Sequence, residues 1–236
     1  MQKRLFCLPP AGAGTTIFQP LQQIKVSGID ICPVQLPGRE NRFQEPIPTS
    51  IERLAAQMAE ELRPLTDRPY AILGYSMGAS IGYEMVRQWH FSGVRLPSEF
   101  FALAARPPHV ASRGENAIHQ LKGDEFRQAL ARLGGTPAEL LENDEIMSIY
   151  EPIIRRDFLN CHHFQSQPIA NLNLPITALV SDGDTMLNID EASAWEDCTA
   201  GRFSLEVLRG EPHIVASSKL ERIGWRLVEE MNGDSP

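Results

Sequence analysis

A serine between two glycines is the first feature of the sequence that could do chemistry. Residues 74–78 are Gly-Tyr-Ser-Met-Gly and match the G-x-S-x-G pattern, in which the serine lies on a sharp turn from a strand into a helix. The context fits, because the apolar residues 71–73 predict a strand and residues 77–89 carry apolar side chains at helical spacing. We therefore predict that Ser76 is a nucleophile, and the alternative is an ordinary strand–helix turn.

A nucleophilic serine needs a base that takes its proton, and in chains with this turn the acid and the histidine follow the serine in that order. Of the six histidines, only His213 follows the last predicted strand, in a turn before the final helix. We therefore expect His213 to be the general base rather than a solvent-exposed loop histidine. The acid is expected just after residues 176–180, where Asp182 and Asp184 are both candidates. The spacing leaves this choice open, since an aspartate beside Gly183 also suits a simple turn.

Two backbone N–H groups are expected to stabilise the oxyanion that forms when a serine attacks a carbonyl. One belongs to Met77, directly after the serine, and the other to Ala11, in the loop of small residues after the first predicted strand. A generic glycine-rich turn is the alternative interpretation of this loop. A dinucleotide site at Gly12 and Gly14 is less favoured, because no G-x-G-x-x-G pattern is completed there.

Short apolar segments alternate with helical patterns along the chain, which predicts a mainly parallel sheet flanked by helices. Together with the serine turn, this indicates an α/β-hydrolase fold. The predicted strands are residues 4–8, 29–36, 70–74, 100–104, 176–180 and 205–208. Thr49 and Glu52 predict a capping box at the start of a helix. A closing helix is expected from about Ser217, with Leu220, Ile223 and Leu227 facing inward.

The segment from about Gly114 to Ser166 interrupts this alternation, because it contains helical patterns and no predicted strand. Ligands of open α/β sheets bind at the carboxyl ends of the strands. We therefore predict that residues 114–166 form a helical lid over that edge of the sheet, inside a single domain that spans residues 1–236. The alternative is that these helices only flank the sheet.

Composition and charge disfavour several classes of function. A net charge of −8, with no run of Lys or Arg, argues against a nucleic-acid binder. No segment approaches the roughly 18 apolar residues of a membrane span, and residues 5–8 are too short for a secretory signal. We therefore expect a cytoplasmic protein without membrane contact. The four cysteines lack C-x-x-C spacing and predict no metal or redox site.

Several further motifs occur in a recognisable order. They are Leu-Pro-Pro-Ala-Gly at residues 8–12, Gln-Leu-Pro-Gly-Arg-Glu-Asn-Arg at 35–42, Gly-Tyr-Ser-Met-Gly-Ala at 74–79, Ala-Arg-Pro-Pro at 105–108, Leu-Gly-Gly-Thr-Pro at 133–137 and Pro-Ile-Ile-Arg-Arg-Asp-Phe at 152–158. With these motifs the chain resembles, nearly end to end, the type II thioesterases, which are stand-alone editing enzymes of polyketide and nonribosomal peptide assembly lines. It departs from the family pattern at Pro10, Tyr75 and Glu211-Pro212, which bears on the shape of the acyl pocket.

The resemblance implies hydrolysis of an acyl thioester carried on the phosphopantetheine arm of an acyl or peptidyl carrier protein. Alignment on Trp195 places the family's aspartate at Asp184, so the implied triad is Ser76, His213 and Asp184, with no metal or dissociable cofactor. Three other functions stay open. They are an acyl-CoA thioesterase or esterase with the same triad, an acyltransferase that passes the acyl group to a nucleophile other than water, and a catalytically silent binding module, which the intact triad disfavours.

Overall fold

A six-stranded sheet forms the centre of the molecule, for which a computed structural model describes residues 2–111 and 115–233. The strands are β1 (Lys3–Leu8), β2 (Ile29–Pro33), β3 (Tyr70–Tyr75), β4 (Glu99–Leu103), β5 (Ile176–Ser181) and β6 (Phe203–Leu208). Their order across the sheet is β2-β1-β3-β4-β5-β6, and every neighbouring pair is parallel. The carboxyl ends of all six strands therefore meet at one edge.

Helices cover both faces of this sheet. They are α1 (Gln19–Gln22), α2 (Ile51–Leu62), α3 (Met77–Phe91), α4 (Gly123–Leu133), α5 (Ala138–Leu141), α6 (Asp144–His163), α7 (Ile189–Ser193) and α8 (Ser217–Asn232). Alternate residues of β1 enter different cores: Phe6 packs with residues of α2 and α3, whereas Leu5 packs with residues of α1 and α8. Burial on both faces explains why the central strands β3, β4 and β5 are almost continuously apolar.

The predicted sheet flanked by helices is confirmed, and each predicted strand exists in the structure. The closing helix begins at Ser217 as expected, with Leu220, Ile223 and Leu227 buried. Three local predictions are wrong, at the end of β2, at the start of α2 and at the start of β6. Strand β6 begins at Phe203, two residues earlier than predicted, because Phe203 and Ser204 still pair with β5.

Strand β2 ends at Pro33, three residues before the end predicted for it. It is an edge strand whose one neighbour in the sheet is β1, and the last pair in their register is Cys7 with Pro33. Pro33 has no N–H with which to continue the ladder. One more hydrogen bond, from Val34 N–H to the Cys7 carbonyl at 2.8 Å, follows before β1 itself ends at Leu8. The prediction was too long because the apolar residues continue to Leu36, whereas β1, with which β2 must pair, has already ended.

The helix start was predicted one residue too early. Ser50, not Thr49, caps α2, and its hydroxyl accepts the Arg53 N–H at 3.3 Å. Glu52 is therefore the second helical residue and not the third, so it does not complete a capping box. Thr49 and Ser50 are both good capping residues, and sequence alone did not distinguish these neighbours.

Between β4 and β5 the described residues contain helices and no strand, as predicted: a 3₁₀ helix at Glu115–Gln120 and then α4, α5 and α6. The predicted first residue of this segment, Gly114, lies outside the described residues. The segment has a small apolar core of its own, formed by Ile118, Phe126, Ala129, Leu130, Leu133, Leu141, Met147, Ile154 and Phe158. Across residues 2–111 and 115–233, no helix is long and apolar enough to cross a bilayer.

Candidate active site

The turn from β3 into α3 presents Ser76 at the carboxyl edge of the sheet. Ser76 has φ 51° and ψ −114°. Residues other than glycine rarely adopt this backbone conformation, which is strained and persists only where the surrounding structure holds it. Two hydrogen bonds hold it here, from Ser76 N–H to the Leu103 carbonyl at 2.8 Å and from Ala79 N–H to the Ser76 carbonyl at 2.9 Å. A Cβ on Gly78 would lie 2.1 Å from the Leu8 carbonyl oxygen, so this sharp turn requires glycine.

The structure brings Ser76, His213 and Asp184 into one hydrogen-bonded row. Ser76 Oγ lies 2.8 Å from His213 Nε2, and His213 Nδ1 lies 2.8 Å from Asp184 Oδ2. A carboxylate can only accept hydrogen bonds, so Nδ1 carries the proton and Nε2 is left to accept from the serine hydroxyl. The imidazole is 8% exposed and the carboxylate is fully buried. The row can therefore take a proton from Ser76 and stabilise the imidazolium that results.

Asp182 and Asp184 have different surroundings, although only Gly183 separates them. Asp184 Oδ1 also accepts the Met186 N–H at 2.7 Å, which orients its other oxygen toward His213. Asp182 is exposed, and its Oδ1 accepts the Gly210 N–H at 2.6 Å. Asp182 thus stabilises the turn that precedes His213, and the alignment on Trp195 selected the aspartate that lies beside the imidazole.

Tyr75 holds the chain segment that carries His213. Its hydroxyl accepts the Val215 N–H at 2.6 Å and donates to the His213 carbonyl at 3.3 Å. The side chain is fully buried, and burial raises the pKa of Tyr75, so the phenol stays protonated. The sequence left open what this departure from the family pattern does to the acyl pocket. The structure instead places the ring in the core, beneath the segment of His213.

Met77 and Ala11, whose backbone N–H groups are the predicted oxyanion donors, both border one cleft. Both residues line it together with Ser76 and His213. Within residues 2–111 and 115–233, neither N–H has a hydrogen-bond partner, so both can donate to an oxygen atom of a ligand. Met77 is also the first residue of α3, where the helix dipole favours negative charge. This arrangement suits an oxyanion.

The cleft extends from Ser76 in two directions. The larger chamber has a volume of about 820 Å³ and runs between the loop at residues 10–14 and helices α4 to α6. Its walls there are mostly apolar, with Leu130, Leu133, Ile146, Met147 and Ile154. The smaller pocket has a volume of about 80 Å³ and is more polar, with Ser80, His162 and Gln165. An apolar chain of some length therefore fits only the larger chamber.

Sequence reasoning missed the residues that hold the loop after β1, which we call the β1 loop (residues 9–14). Glu40 accepts hydrogen bonds from Thr15 N–H at 2.9 Å, Thr15 Oγ1 at 2.7 Å and Thr16 N–H at 3.1 Å, just beyond this loop. Burial opposes ionisation of Glu40, but these hydrogen bonds prevail and lower its pKa. Arg39 and Asp157 hold the loop itself. The sequence did contain a signal for these contacts, because two charged residues, Arg39 and Glu40, directly follow the Leu-Pro-Gly segment at residues 36–38.

No group of three or more His, Cys, Asp or Glu side chains in residues 2–111 and 115–233 is arranged as a metal site. The side chains that converge at Ser76 are instead those of a nucleophile, a base and an acid. The chemistry that this geometry can perform is acyl transfer through the serine.

Comparison with known proteins agrees with this geometry. Residues 3–224 match the thioesterase domain family. Linear gramicidin dehydrogenase LgrE of Brevibacillus parabrevis is 36% identical over 93% of this chain and 84% of LgrE, and gramicidin S biosynthesis protein GrsT of Aneurinibacillus migulanus is 34% identical over 93% and 86%. The solved type II thioesterase BorB from the borrelidin biosynthetic cluster is 29% identical, with a TM-score of 0.84 over 97% of this chain and 92% of BorB. The resemblance to type II thioesterases is confirmed, and the chain belongs to the thioesterase domain family.

Proposed function

We propose that this thioesterase hydrolyses acyl thioesters on the phosphopantetheine arm of acyl or peptidyl carrier proteins, as an editing enzyme of polyketide or nonribosomal peptide synthesis. The observation that carries the proposal is the row of Ser76, His213 and Asp184 at the mouth of an apolar chamber. GrsT is named as a gramicidin S biosynthesis protein and BorB as a type II thioesterase of the borrelidin biosynthetic cluster, which supports a biosynthetic setting for this chain.

The reaction takes place in two halves. His213 Nε2 accepts the proton of Ser76 as Oγ attacks the thioester carbonyl carbon, and the N–H groups of Met77 and Ala11 stabilise the oxyanion. The C–S bond then breaks, and the departing pantetheine thiolate takes the proton from His213. Water next gives a proton to His213 and attacks the acyl-serine. The free acid leaves as Ser76 regains its proton, while Asp184 holds the imidazole in one tautomer throughout.

The helices between β4 and β5 act in this proposal as a lid that shapes the acyl chamber. Their apolar residues form much of its wall. They also contact both loops that flank Ser76: Ile214 N–H donates to the Leu133 carbonyl at 2.9 Å, and Gly12 N–H donates to Asp157 at 2.8 Å. We assign residues 114–166 to this lid and residues 1–236 to a single domain.

Other functions are less well supported. An acyl-CoA thioesterase, an esterase or an acyltransferase would use the same triad. The first two would differ in the leaving group and the third in the nucleophile that accepts the acyl group. LgrE is named as a dehydrogenase, which would suggest a dinucleotide cofactor. However, Gly12 and Gly14 of this chain do not complete a dinucleotide-binding pattern. The pairing of Ser76 with His213 is instead the arrangement expected for acyl transfer. A silent binding module has no need of that pair. The cytoplasmic location stays a prediction.

Turnover of one acyl group on three carriers tests the proposal. The same acyl chain is presented on a carrier protein, on coenzyme A and as a p-nitrophenyl ester, and we expect kcat/KM to be at least about tenfold higher on the carrier protein than on coenzyme A. Ser76→Ala is the control and should abolish turnover on all three. An acyl-serine adduct should be seen by intact mass after acid quenching of the wild type. Higher kcat/KM on coenzyme A or on the ester would assign the function to one of the rivals.

A further inference from the structure

A buried ion pair joins the Leu-Pro-Gly-Arg motif to the lid. Arg39 and Asp157 form a two-pronged contact, with one guanidinium nitrogen 2.7 Å from Asp157 Oδ2 and the other 3.1 Å from Oδ1. The arginine side chain is 3% exposed and the aspartate is fully buried. A buried ion pair rarely stabilises a fold more than apolar residues of the same size would. Its presence beside the cleft therefore raises the question of what it holds in place.

The pair holds the β1 loop at two successive residues. Asp157 Oδ2 accepts the Gly12 N–H at 2.8 Å, and Arg39 donates to the Ala13 carbonyl at 3.2 Å. Within the loop, Ala13 N–H donates to the Pro10 carbonyl at 3.1 Å. That carbonyl and the Ala11 N–H belong to one planar peptide group and point in opposite directions. Holding Gly12 and Ala13 therefore also sets the direction of the Ala11 N–H.

A steric contact seats the same loop on helix α6. Gly12 has φ +75°, and a Cβ there would lie 2.7 Å from Ile154 Cγ1. Ile154 and Asp157 are three residues apart and so lie on one face of α6. The loop thus contacts the helix once through an apolar side chain and once through a charge. Both contacts come from the lid and neither comes from the sheet.

We propose that Arg39 and Asp157 are positioning residues that aim the Ala11 N–H into the oxyanion hole. Helix α6 thereby completes the oxyanion hole, and the lid takes part in chemistry as well as in shaping the chamber. The inference rests on the proposed function only in that Ser76 attacks a carbonyl carbon. It holds equally for an ester and a thioester, because both pass through an oxyanion.

Hydrolysis of a small activated ester measures this effect without the carrier protein. In Asp157→Asn the amide can present only one oxygen, and its NH₂ group faces the donors of Arg39. In Arg39→Lys the charge remains, but the two-pronged contact and the bond to the Ala13 carbonyl cannot both form. For both variants we expect kcat to fall by about 10- to 100-fold while KM changes less than about threefold, because a misplaced oxyanion donor weakens the transition state and not substrate binding.

Glu151→Gln is the matched control. Glu151 also forms an ion pair from α6, with Arg155 at 2.7 Å, but it does not contact the β1 loop. We expect kcat of this variant to stay within about twofold of wild type. The double variant carrying both Asp157→Asn and Arg39→Lys should lose little more kcat than either single variant, because the two residues act as a unit.

The outcomes separate this inference from the proposed function. Unchanged kcat in folded Asp157→Asn and Arg39→Lys would overturn the positioning role and leave a purely structural pair. Equal losses in Glu151→Gln would do the same, since the effect would then belong to α6 in general. If Asp157→Asn does not fold, Arg39→Lys decides alone. A wild type that hydrolyses the ester but not the carrier thioester would contradict the proposed function and leave the inference standing.

Discussion

The turn at residues 74–78 and the β1 loop face the same cleft, but different kinds of contact hold them. In the turn, backbone packs on backbone: Gly78 lies against the Leu8 carbonyl, and Ser76 N–H binds the Leu103 carbonyl. The β1 loop is held by charged side chains that come from later segments, Arg39 and Asp157. The first arrangement tolerates no added atom, whereas the second depends on long-range pairing.

This difference shows where precision in the site originates. The sheet holds Ser76, the proposed nucleophile, in a fixed position, because β3 is central and both of its neighbours are in register with it. Ala11, the proposed oxyanion donor, and His213, the proposed base, lie on loops, and each loop is bound to the helices between β4 and β5. Variants that act on the turn, on the loops or on the shared triad should therefore fail in different ways.

Removal of the shared base should have the largest effect. His213→Ala removes the proton acceptor of Ser76, and we expect kcat to fall by about 10⁴- to 10⁶-fold. The unfolding temperature should stay close to that of wild type, because the backbone of His213 and its bond to Tyr75 remain. Steady-state kinetics and thermal unfolding measure the two quantities. Substantial turnover in a folded His213→Ala protein would contradict the triad.

The next largest effect on kcat is expected from substitution of Asp184, and it should exceed the effect of substituting Asp182. Asp184→Asn abolishes control of the His213 tautomer, and the expected loss of kcat is about 10⁴-fold. Asp182→Asn keeps an oxygen that can accept the Gly210 N–H, so its loss should be less than about tenfold. The two kcat values are compared on one ester substrate. A larger loss in Asp182→Asn would show that the acid has been assigned to the wrong residue.

Alanine at two glycines compares the turn with the loop directly. In Gly78→Ala the new Cβ meets a backbone oxygen that cannot move away, so we expect the free energy of unfolding to fall by about 3 kcal/mol. In Gly12→Ala it meets Cγ1 of the Ile154 side chain at 2.7 Å, a contact that a shift of the surface loop can relieve, and the positive φ adds strain of about 1 kcal/mol. Urea denaturation gives both values. Equal destabilisation would remove the distinction between the two regions.

The smallest effect on kcat is expected for a substitution of Tyr75, which packs beneath the segment that carries His213. Tyr75→Phe removes the acceptor of the buried Val215 N–H, which costs about 1 to 2 kcal/mol of the free energy of unfolding. We expect kcat to fall less than about tenfold, since the contacts of the His213 imidazole are unchanged. Urea denaturation and ester kinetics on the same preparation test this. A fall of kcat as large as that of His213→Ala would make Tyr75 part of the catalytic machinery.

Elements with a strong local pattern were predicted well. All six strands and the closing helix were expected near their observed positions, because apolar periodicity reflects burial directly. The errors are at ends: β2 stops with its partner at Pro33, and α2 begins one residue later than its predicted cap. The end of an edge strand depends on the length of its partner strand elsewhere in the chain. The choice between two capping residues depends on the backbone conformation of the preceding loop.

The sequence by itself determined the chemistry that we propose for this protein: a serine on a strand–helix turn, a histidine after the last strand and an aspartate after the fifth. These features are contiguous motifs whose local geometry follows from residue type and order. Only the tertiary structure decided which groups support them. Tyr75 beneath the histidine segment, and Arg39 with Asp157 around the β1 loop, lie up to 145 residues from the atoms that they bind. No local pattern encodes a contact over that distance, because folding alone brings the two partners together.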